Sequence, residues 1–156
     1  MTVINETADV DSTAQIGDGC RIWHLAQIRE QAVLGQGCVI GRGAYIGSGV
    51  QLGDHVKVQN YALVYEPAVI GDGVFIGPGV VLTNDRNPRA TSPSGDPKSN
   101  FDWAAEGVRI SNGASIGAQS VILAGTVIGA WAMVGAGSVV LRDIPDHSLV
   151  VGNPAQ

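Results

Sequence analysis

Aromatic residues are scarce in this chain: two Phe, three Trp and three Tyr make up 5% of its 156 residues. A core built around large rings is thereby excluded. Cysteine is scarcer still. Two residues are too few for a disulfide framework, and their spacing fits no metal motif. Charge is thin and unbalanced, with nine Lys and Arg against fourteen Asp and Glu, a net charge of -5. An acidic chain without a basic run is a poor partner for phosphate backbones, which argues against nucleic-acid binding. No segment approaches the roughly 18 apolar residues of a membrane-spanning helix. The first ten residues carry neither the basic cluster nor the apolar stretch of a leader peptide, so a cytoplasmic protein is expected. The length corresponds to about one domain.

What the chain has in quantity is glycine, 22 residues beside 45% hydrophobic residues. Collagen would need Gly at every third position, and a flexible linker would not be this aliphatic. Stepping by six from Ile4 meets Val10, Ile16, Ile22, Ile28, Leu34, Ile40, Ile46, Leu52, Val58, Val64, Ile70, Ile76 and Leu82. The beat then lapses and resumes at Ile110, Ile116, Ile122, Ile128, Val134 and Val140. Ten glycines stand one residue after an aliphatic position and nine stand three after it, so 19 of the 22 punctuate one six-residue unit. Two residues before it the side chain is small or β-branched, as at Ala14, Cys20, Ala26, Ala32, Cys38 and Ala44. Six residues suffice for one short strand and a turn, but not for a helix pair or a propeller blade. Three units per coil would place residue n over n+18, at the strand spacing of roughly 4.8 Å. Aliphatic side chains then stack inward in ladders, which supplies a core without rings. The expected fold is all-β, a parallel β-solenoid whose hand the period alone does not fix. Cys20 and Cys38 become neighbours in this scheme. A disulfide is geometrically conceivable, and two buried thiols acting as small apolar groups are the favoured reading.

In a regular solenoid the informative residues are those that break the pattern. Between Leu82 and Ile110 stand 22 residues more than the normal step, forming an excursion from 84 to 107 within a single domain, 1–156. It contains Asn84-Asp85-Arg86-Asn87-Pro88-Arg89 and Lys98-Ser99-Asn100-Phe101-Asp102-Trp103. Loops this long are usually functional or disordered, and Phe101 and Trp103 argue that this one packs against something. A loop reaching over a neighbouring subunit to line a site is the favoured reading, and a plain surface loop is the simpler alternative. A second kind of break is a turn without glycine, at Trp23-His24-Leu25, Arg29-Glu30-Gln31, Gln59-Asn60-Tyr61, Tyr65-Glu66-Pro67 and Thr83-Asn84-Asp85. The n+18 stacking aligns Glu30, Ser48, Glu66 and Asn84 along one corner, and His24, Arg42 and Asn60 along another. Glu66 then lies one coil below Asn84, where the excursion departs, and a carboxylate and an amide on adjacent rungs make a polar site. Glu30 and Ser48 read as ordinary exposed turn residues.

The [LIV]-G-x-G-x-x rhythm resembles that of the hexapeptide-repeat acyltransferases over nearly the whole chain. The run Ile144-Pro145-Asp146-His147-Ser148-Leu149, followed by Gly152-Asn153-Pro154-Ala155, is similar to that family's C-terminal signature. The resemblance implies a left-handed parallel β-helix, a homotrimer with sites between subunits, and acyl transfer from a thioester. Arg21-Ile22-Trp23-His24, Val58-Gln59-Asn60, Val64-Tyr65-Glu66, Gly77-Pro78 and Thr83-Asn84 with Asn87-Pro88-Arg89 resemble, more narrowly, the nucleotide-linked amino-sugar N-acetyltransferases. Those enzymes use acetyl-CoA to acetylate the amine of a UDP- or dTDP-hexose in surface-polysaccharide assembly. The tract from Pro97 to Trp103 differs from their more charged segment.

That chemistry makes definite demands. A sugar ammonium must lose a proton before its nitrogen attacks a thioester, and the tetrahedral intermediate needs donors for its oxyanion. Histidine is the usual base. O-acetyltransferases of this fold carry one in a Thr-x-x-His-Pro-like run, where this chain reads Thr83-Asn84-Asp85-Arg86-Asn87-Pro88. The missing histidine favours an amine acceptor over a hydroxyl. The expected catalytic residues are Asn84, to position the amine, and Glu66, to take or share its proton, with His24 a weaker candidate. Substrate contacts are expected from Gln59, Asn60, Tyr65 and Asp85, and from Arg86, Arg89 and Lys98 toward a pyrophosphate. The resemblance implies that Gly117, Ala118 and Ala136 hold the pantetheine arm of acetyl-CoA, with Arg142, Asn153 and Pro154 near its nucleotide end.

Two other readings bear on the same residues. Carbonic anhydrases of this solenoid hold zinc with three histidines. Here the interval between His24 and His55 is not a multiple of six, and His147 lies in the terminal segment, so no metal is expected. An ice binder would want flat rows of Thr, and a non-catalytic scaffold would have no use for a loop with paired arginines.

Overall fold

Each six-residue unit forms one short strand. The computed structural model, which describes residues 1–156, contains 21 such strands and no helix, hence none long and apolar enough to cross a membrane. They lie in three parallel faces. The first face runs from β1 (Val3–Ile4) to β21 (Leu149–Val150) in eight strands. The second runs from β2 (Asp9–Val10) to β20 (Val139–Val140) in seven, and the third from β3 (Gln15–Ile16) to β18 (Val127–Ile128) in six. Val3 pairs with Arg21 and Leu63 with Val81, so residue n does lie over n+18. The molecule is a left-handed parallel β-helix of about eight coils.

The excursion does not disturb the ladder. Before it, β14 (Val81–Leu82) ends the fifth strand of the second face. Val81 pairs with Val121 and Val69 with Arg109, so the coils close over the inserted segment as if it were absent. The aliphatic ladder fills the interior: Ile22, Ile28, Ile40, Ile46, Ile76, Leu82, Ile116 and Ile122 are all fully buried. Each such side chain contributes roughly 1.5–3 kcal/mol. Ile4, on the first strand of the ladder, is 47% exposed.

The corners explain the rest of the repeat. At the second residue of a turn, Asp or Asn accepts the backbone N–H of the same turn position one coil below. Asp54 caps Gln36 N (2.8 Å), Asp72 caps Asp54 N (2.8 Å), Asn112 caps Asp72 N (2.9 Å) and Asn60 caps Arg42 N (2.9 Å). The close approach of the next coil's backbone requires glycine one position earlier in the lower coil. A methyl group on Gly41 would stand 2.5 Å from Asn60 Oδ1 and 2.6 Å from Asn60 N. The third turn position is left-handed, and where it is not glycine it holds Leu25, Gln31, His55, Tyr61, Gln119, Trp131 or His147, at φ of 57 to 59°. Such a backbone costs about 1–2 kcal/mol for a residue with a Cβ. Three of these rings fold down over a glycine one coil below: His55 over Gly37, Tyr61 over Gly43 and Trp131 over Gly113.

Cys20 and Cys38 are stacked, buried and free. Their thiols donate to the carbonyls of Gly35 (3.1 Å) and Gly53 (3.2 Å), and burial pushes the Cys38 thiol up to about 11. The thiolate is the reactive form. A disulfide-exchange dye at pH 8 is therefore expected to label neither cysteine in the folded protein and both after denaturation. Rapid labelling under native conditions would contradict this packing.

Candidate functional site

The three corners can be numbered in chain order: the first joins the first and second faces, the second joins the second and third, and the third closes the coil. The second corner carries Arg29-Glu30, Ser48, Tyr65-Glu66 and Thr83-Asn84 on successive coils, and the excursion leaves from it. Asn84 and Glu66 meet there as expected, but through an unexpected pair of atoms. Asn84 Nδ2 donates to the Glu66 main-chain carbonyl at 2.7 Å. This fixes the carboxamide and leaves Asn84 Oδ1 without a partner in the chain. The Glu66 carboxylate lies over Gly47, one coil below, with the Tyr45 hydroxyl 3.5 Å away. The Tyr45 ring leans on Tyr65 with centroids 5.1 Å apart. Partial burial, and then the Glu66 charge, raise the Tyr45 hydroxyl above the usual phenol range, so it remains a neutral donor. Lower still, Arg29 clamps Glu30 through two 3.0 Å bonds and Ser48 adds a third at 2.7 Å, which brings Glu30 down to about 2. Glu30 and Ser48 are therefore paired to each other rather than merely solvated. Tyr45 stands on a strand, one residue before Ile46. The n+18 spacing stacks it under Leu63, and it reaches Glu66 only because its long side chain leans across to the corner at a separation of 21 residues.

The excursion is a folded structure of its own. Glu106 N donates to Asn84 O (2.9 Å) and closes its base, and Arg86 pairs with Glu106 across the gap at 3.1 Å. Above the base, Lys98 N donates to Ala90 O, Thr91 bridges Pro97 antiparallel, and Ser92 N donates to Asp96 O, which makes a small hairpin. A cavity of about 360 Å³ opens beside it, lined by Asp85, Pro88, Arg89, Ala90, Lys98, Ser99, Asn100 and Trp103. Three of the residues expected to contact substrate, Asp85, Arg89 and Lys98, thus meet in one pocket. Arg86 does not join them, because Glu106 holds it.

Gln59 and Asn60 lie at the first corner, across the second face from Asn84, and Asn60 Oδ1 is committed to the corner staple. His24 also lies at the first corner, three coils below Asn84. It is exposed, stacked on Trp23 and 3.2 Å from Asn5 Nδ2, and within one subunit it does not approach Asn84. His55 and His147 sit at the third corner on widely separated coils, and no three His, Cys, Asp or Glu side chains converge.

Gly117, Ala118 and Ala136 form the upper part of the first corner, with the Ala136 backbone directly above Gly117. Neither the Ala118 nor the Ala136 N–H has an acceptor in the chain: Ala136 stands above Ala118, and Asn153, in the segment above Ala136, makes no hydrogen bond to it. Arg142 and Pro154 share a separate cavity of about 230 Å³ with Leu141, Ala155 and Gln156, and Asn153 is exposed beside it.

The three-faced parallel coil, interrupted by a single excursion at its second corner, is a hexapeptide-repeat scaffold. The chain belongs to the bacterial transferase hexapeptide family, whose profile matches residues 13–48, 49–84 and 107–142, more than half of the chain. One curated relative is the dTDP-3-amino-3,6-dideoxy-alpha-D-galactopyranose 3-N-acetyltransferase of Aneurinibacillus thermoaerophilus. It is 68% identical over 47 residues, which are 30% of this chain and 24% of that protein, so the match spans about a quarter of the relative's length. Among solved structures, PerB from Caulobacter crescentus in complex with CoA and GDP-perosamine superimposes with a TM-score of 0.58 at 24% identity, covering 99% of this chain and 56% of its own. The acetyltransferase domain of PglB from Neisseria gonorrhoeae, in complex with acetyl coenzyme A, superimposes with a TM-score of 0.56 at 25% identity, covering 99% of this chain and 56% of its own.

Proposed function

We infer that this protein is an N-acetyltransferase moving the acetyl group of acetyl-CoA to the amine of a nucleotide-linked hexose, within surface-polysaccharide assembly in the cytoplasm. The observation that carries this reading is the Asn84 carboxamide. Its nitrogen is tied to the Glu66 carbonyl, so its oxygen presents a fixed acceptor suited to an amine N–H. The relative's name, an amino-sugar N-acetyltransferase, and the CoA and acetyl-CoA bound by PerB and PglB support the same acceptor and donor.

In this mechanism the amine nitrogen attacks the thioester carbonyl carbon. The C–N bond forms, the oxygen becomes an oxyanion, and the C–S bond then breaks to release the CoA thiolate. The nitrogen's excess proton passes to the Glu66 carboxylate, brought up by side-chain rotation, and from there to the thiolate. The free Ala118 and Ala136 N–H groups offer the pantetheine arm backbone donors that need no reorganisation. Arg142 and the Asn153-Pro154 turn attend its nucleotide end. Tyr65, Gln59 and Asn60 contribute from facing surfaces of a homotrimer, in which the second corner of one subunit meets the first corner of its neighbour.

The test is thiol release from acetyl-CoA with a panel of UDP-, dTDP- and GDP-linked amino sugars and their hydroxy counterparts. Release is expected with an amino sugar and not with its hydroxy analogue. Equal release with the hydroxy sugar would remove the amine specificity, and silence across the panel would remove the reading.

A further inference from the structure

We propose that Ser120 and Ser138 are positioning residues of the acetyl-donor site, acting from inside the core. Together they polarise the peptide between Gly135 and Ala136, which makes the Ala136 N–H a strengthened donor to an amide carbonyl of the pantetheine arm. The inference rests on the acetyl-CoA reading for the identity of the ligand, and goes beyond it in assigning a role to two side chains that never touch that ligand.

The two serines interrupt an apolar column. At the inward position that ends the first corner, successive coils carry Ala26, Ala44, Ala62 and Val80, and then Ser120 and Ser138. Both serines are fully buried, where a hydroxyl is costly unless it is bonded. These two are bonded to one atom. Ser138 Oγ donates to the Gly135 carbonyl at 2.6 Å, and Ser120 Oγ donates to the same oxygen at 3.0 Å. Each hydroxyl also accepts a main-chain N–H, Ser120 Oγ from Ser138 (3.3 Å) and Ser138 Oγ from Gly152 (3.1 Å), so both protons are directed at the carbonyl. In the coils below, the corresponding carbonyl takes the N–H three residues on, as Gly41 does from Ala44 (3.2 Å) and Gly117 from Ser120 (3.3 Å). The Ser138 N–H goes to Ser120 instead, and Gly135 O is left to the two hydroxyls.

A peptide is a conjugated unit, so donors on its oxygen draw electron density from its nitrogen and sharpen the N–H. Hydrogen bonds linked in this way reinforce one another in a low-dielectric core. The C=O and N–H of a trans peptide point in opposite directions, so a carbonyl held inward turns the Ala136 N–H away from the core. That N–H has no acceptor in the chain. The thiols of Cys20 and Cys38 make comparable contacts with the carbonyls of Gly35 and Gly53, but the N–H groups of those peptides, on Gln36 and Asp54, are already capped by Asp54 and Asp72. The Ala118 N–H is free as well, yet its peptide receives the Ser120 main-chain N–H and no hydroxyl. The two free donors are therefore unequal, and Ala136 is the stronger. Ala136 and Gly137 are both exposed and carry at most a methyl group, so an extended amide chain can lie against this backbone and present a carbonyl to it.

The test is calorimetric titration of the full chain with coenzyme A and, separately, with adenosine 3′,5′-bisphosphate, which lacks the pantetheine arm. Ser120→Ala/Ser138→Ala is expected to weaken coenzyme A about fivefold, on the scale of one net hydrogen bond, and to leave the bisphosphate within about twofold. Ser138→Cys, which repeats the thiol contact already made by Cys20, should fold as wild type and keep part of the affinity lost in Ser138→Ala. Without any ligand, the Ala136 amide proton should move upfield in Ser138→Ala, and the Ala118 amide proton should move less. An unchanged coenzyme A affinity in the double variant, an equal loss for both ligands, or an unmoved Ala136 resonance overturns the proposal. Acetyl transfer to an amino sugar with an unchanged KM for acetyl-CoA in the double variant overturns it and leaves the N-acetyltransferase reading intact. Serine-dependent coenzyme A binding without acetyl transfer to any amino sugar supports it and removes that reading.

Discussion

Replacing Asn84 by alanine is expected to lower kcat about 100-fold, close to 2.7 kcal/mol of barrier, with KM for acetyl-CoA within twofold of wild type. The loss follows from the carboxamide's double duty. Its nitrogen is bound at 2.7 Å to the Glu66 carbonyl, so its oxygen is aimed before substrate arrives. Alanine removes the acceptor for the amine and frees the Glu66 carbonyl. Asn84→Asp should fare no better, since a carboxylate sets an acceptor against that carbonyl where a donor is needed. Only about 1 kcal/mol of stability should be lost with the hydrogen bond, a fall of roughly 2–4 °C in Tm for a chain of this size. Steady-state kinetics alongside calorimetry separates the two effects. A rate within threefold of wild type, roughly 0.7 kcal/mol, would remove Asn84 from the mechanism.

The largest expected effect on stability comes from a single methyl group. Gly41→Ala should destabilise the solenoid by about 3 kcal/mol or more, read as a lower urea midpoint at unchanged slope. The new Cβ would stand 2.5 Å from Asn60 Oδ1, 2.6 Å from Asn60 N and 2.7 Å from the Gln59 carbonyl carbon. Shortening the side chain in Gly41→Ala/Asn60→Ala clears only the first of these contacts, so the double variant should recover little. Recovery to wild type would show that the staple, rather than backbone proximity, demands glycine.

The fold was legible because one physical requirement recurs at every sixth position. An inward aliphatic group and a turn that admits the next coil's backbone leave the same trace each time. The column uniting Glu66 and Asn84 followed from that period alone. The atoms that meet did not follow. Spacing gives the rung, while side-chain torsions decide whether Glu66 offers its carboxylate or its carbonyl to Asn84, and here it is the carbonyl. The loop was legible as an interruption and not as a shape. The pairing of Arg86 with Glu106, which takes Arg86 out of the pocket, depends on the two ends of the loop being drawn together by the coil beneath them. His24 was a candidate by residue type, and the three-corner geometry sets it apart from Asn84. The free N–H group of Ala118 could have been anticipated, since the residue above it is Ala136 and not Asp or Asn, whereas that of Ala136 could not, because Asn153 lies in the segment above it.

The register across the excursion has a consequence for how such a scaffold diversifies. On the second face Leu63 finds its partner, Val81, one ordinary coil on, whereas Val81 finds Val121 only beyond the whole insertion. For a flexible connection, slightly more than doubling the length to be closed costs only about 0.7 kcal/mol of chain entropy, because the penalty grows with the logarithm of length. The insertion point is therefore nearly neutral ground. Segments of quite different length and composition can be exchanged between Asn84 and Gly107 while the coils above and below keep the same partners. The excursion can drift in length and sequence without re-optimising the ladder beneath it.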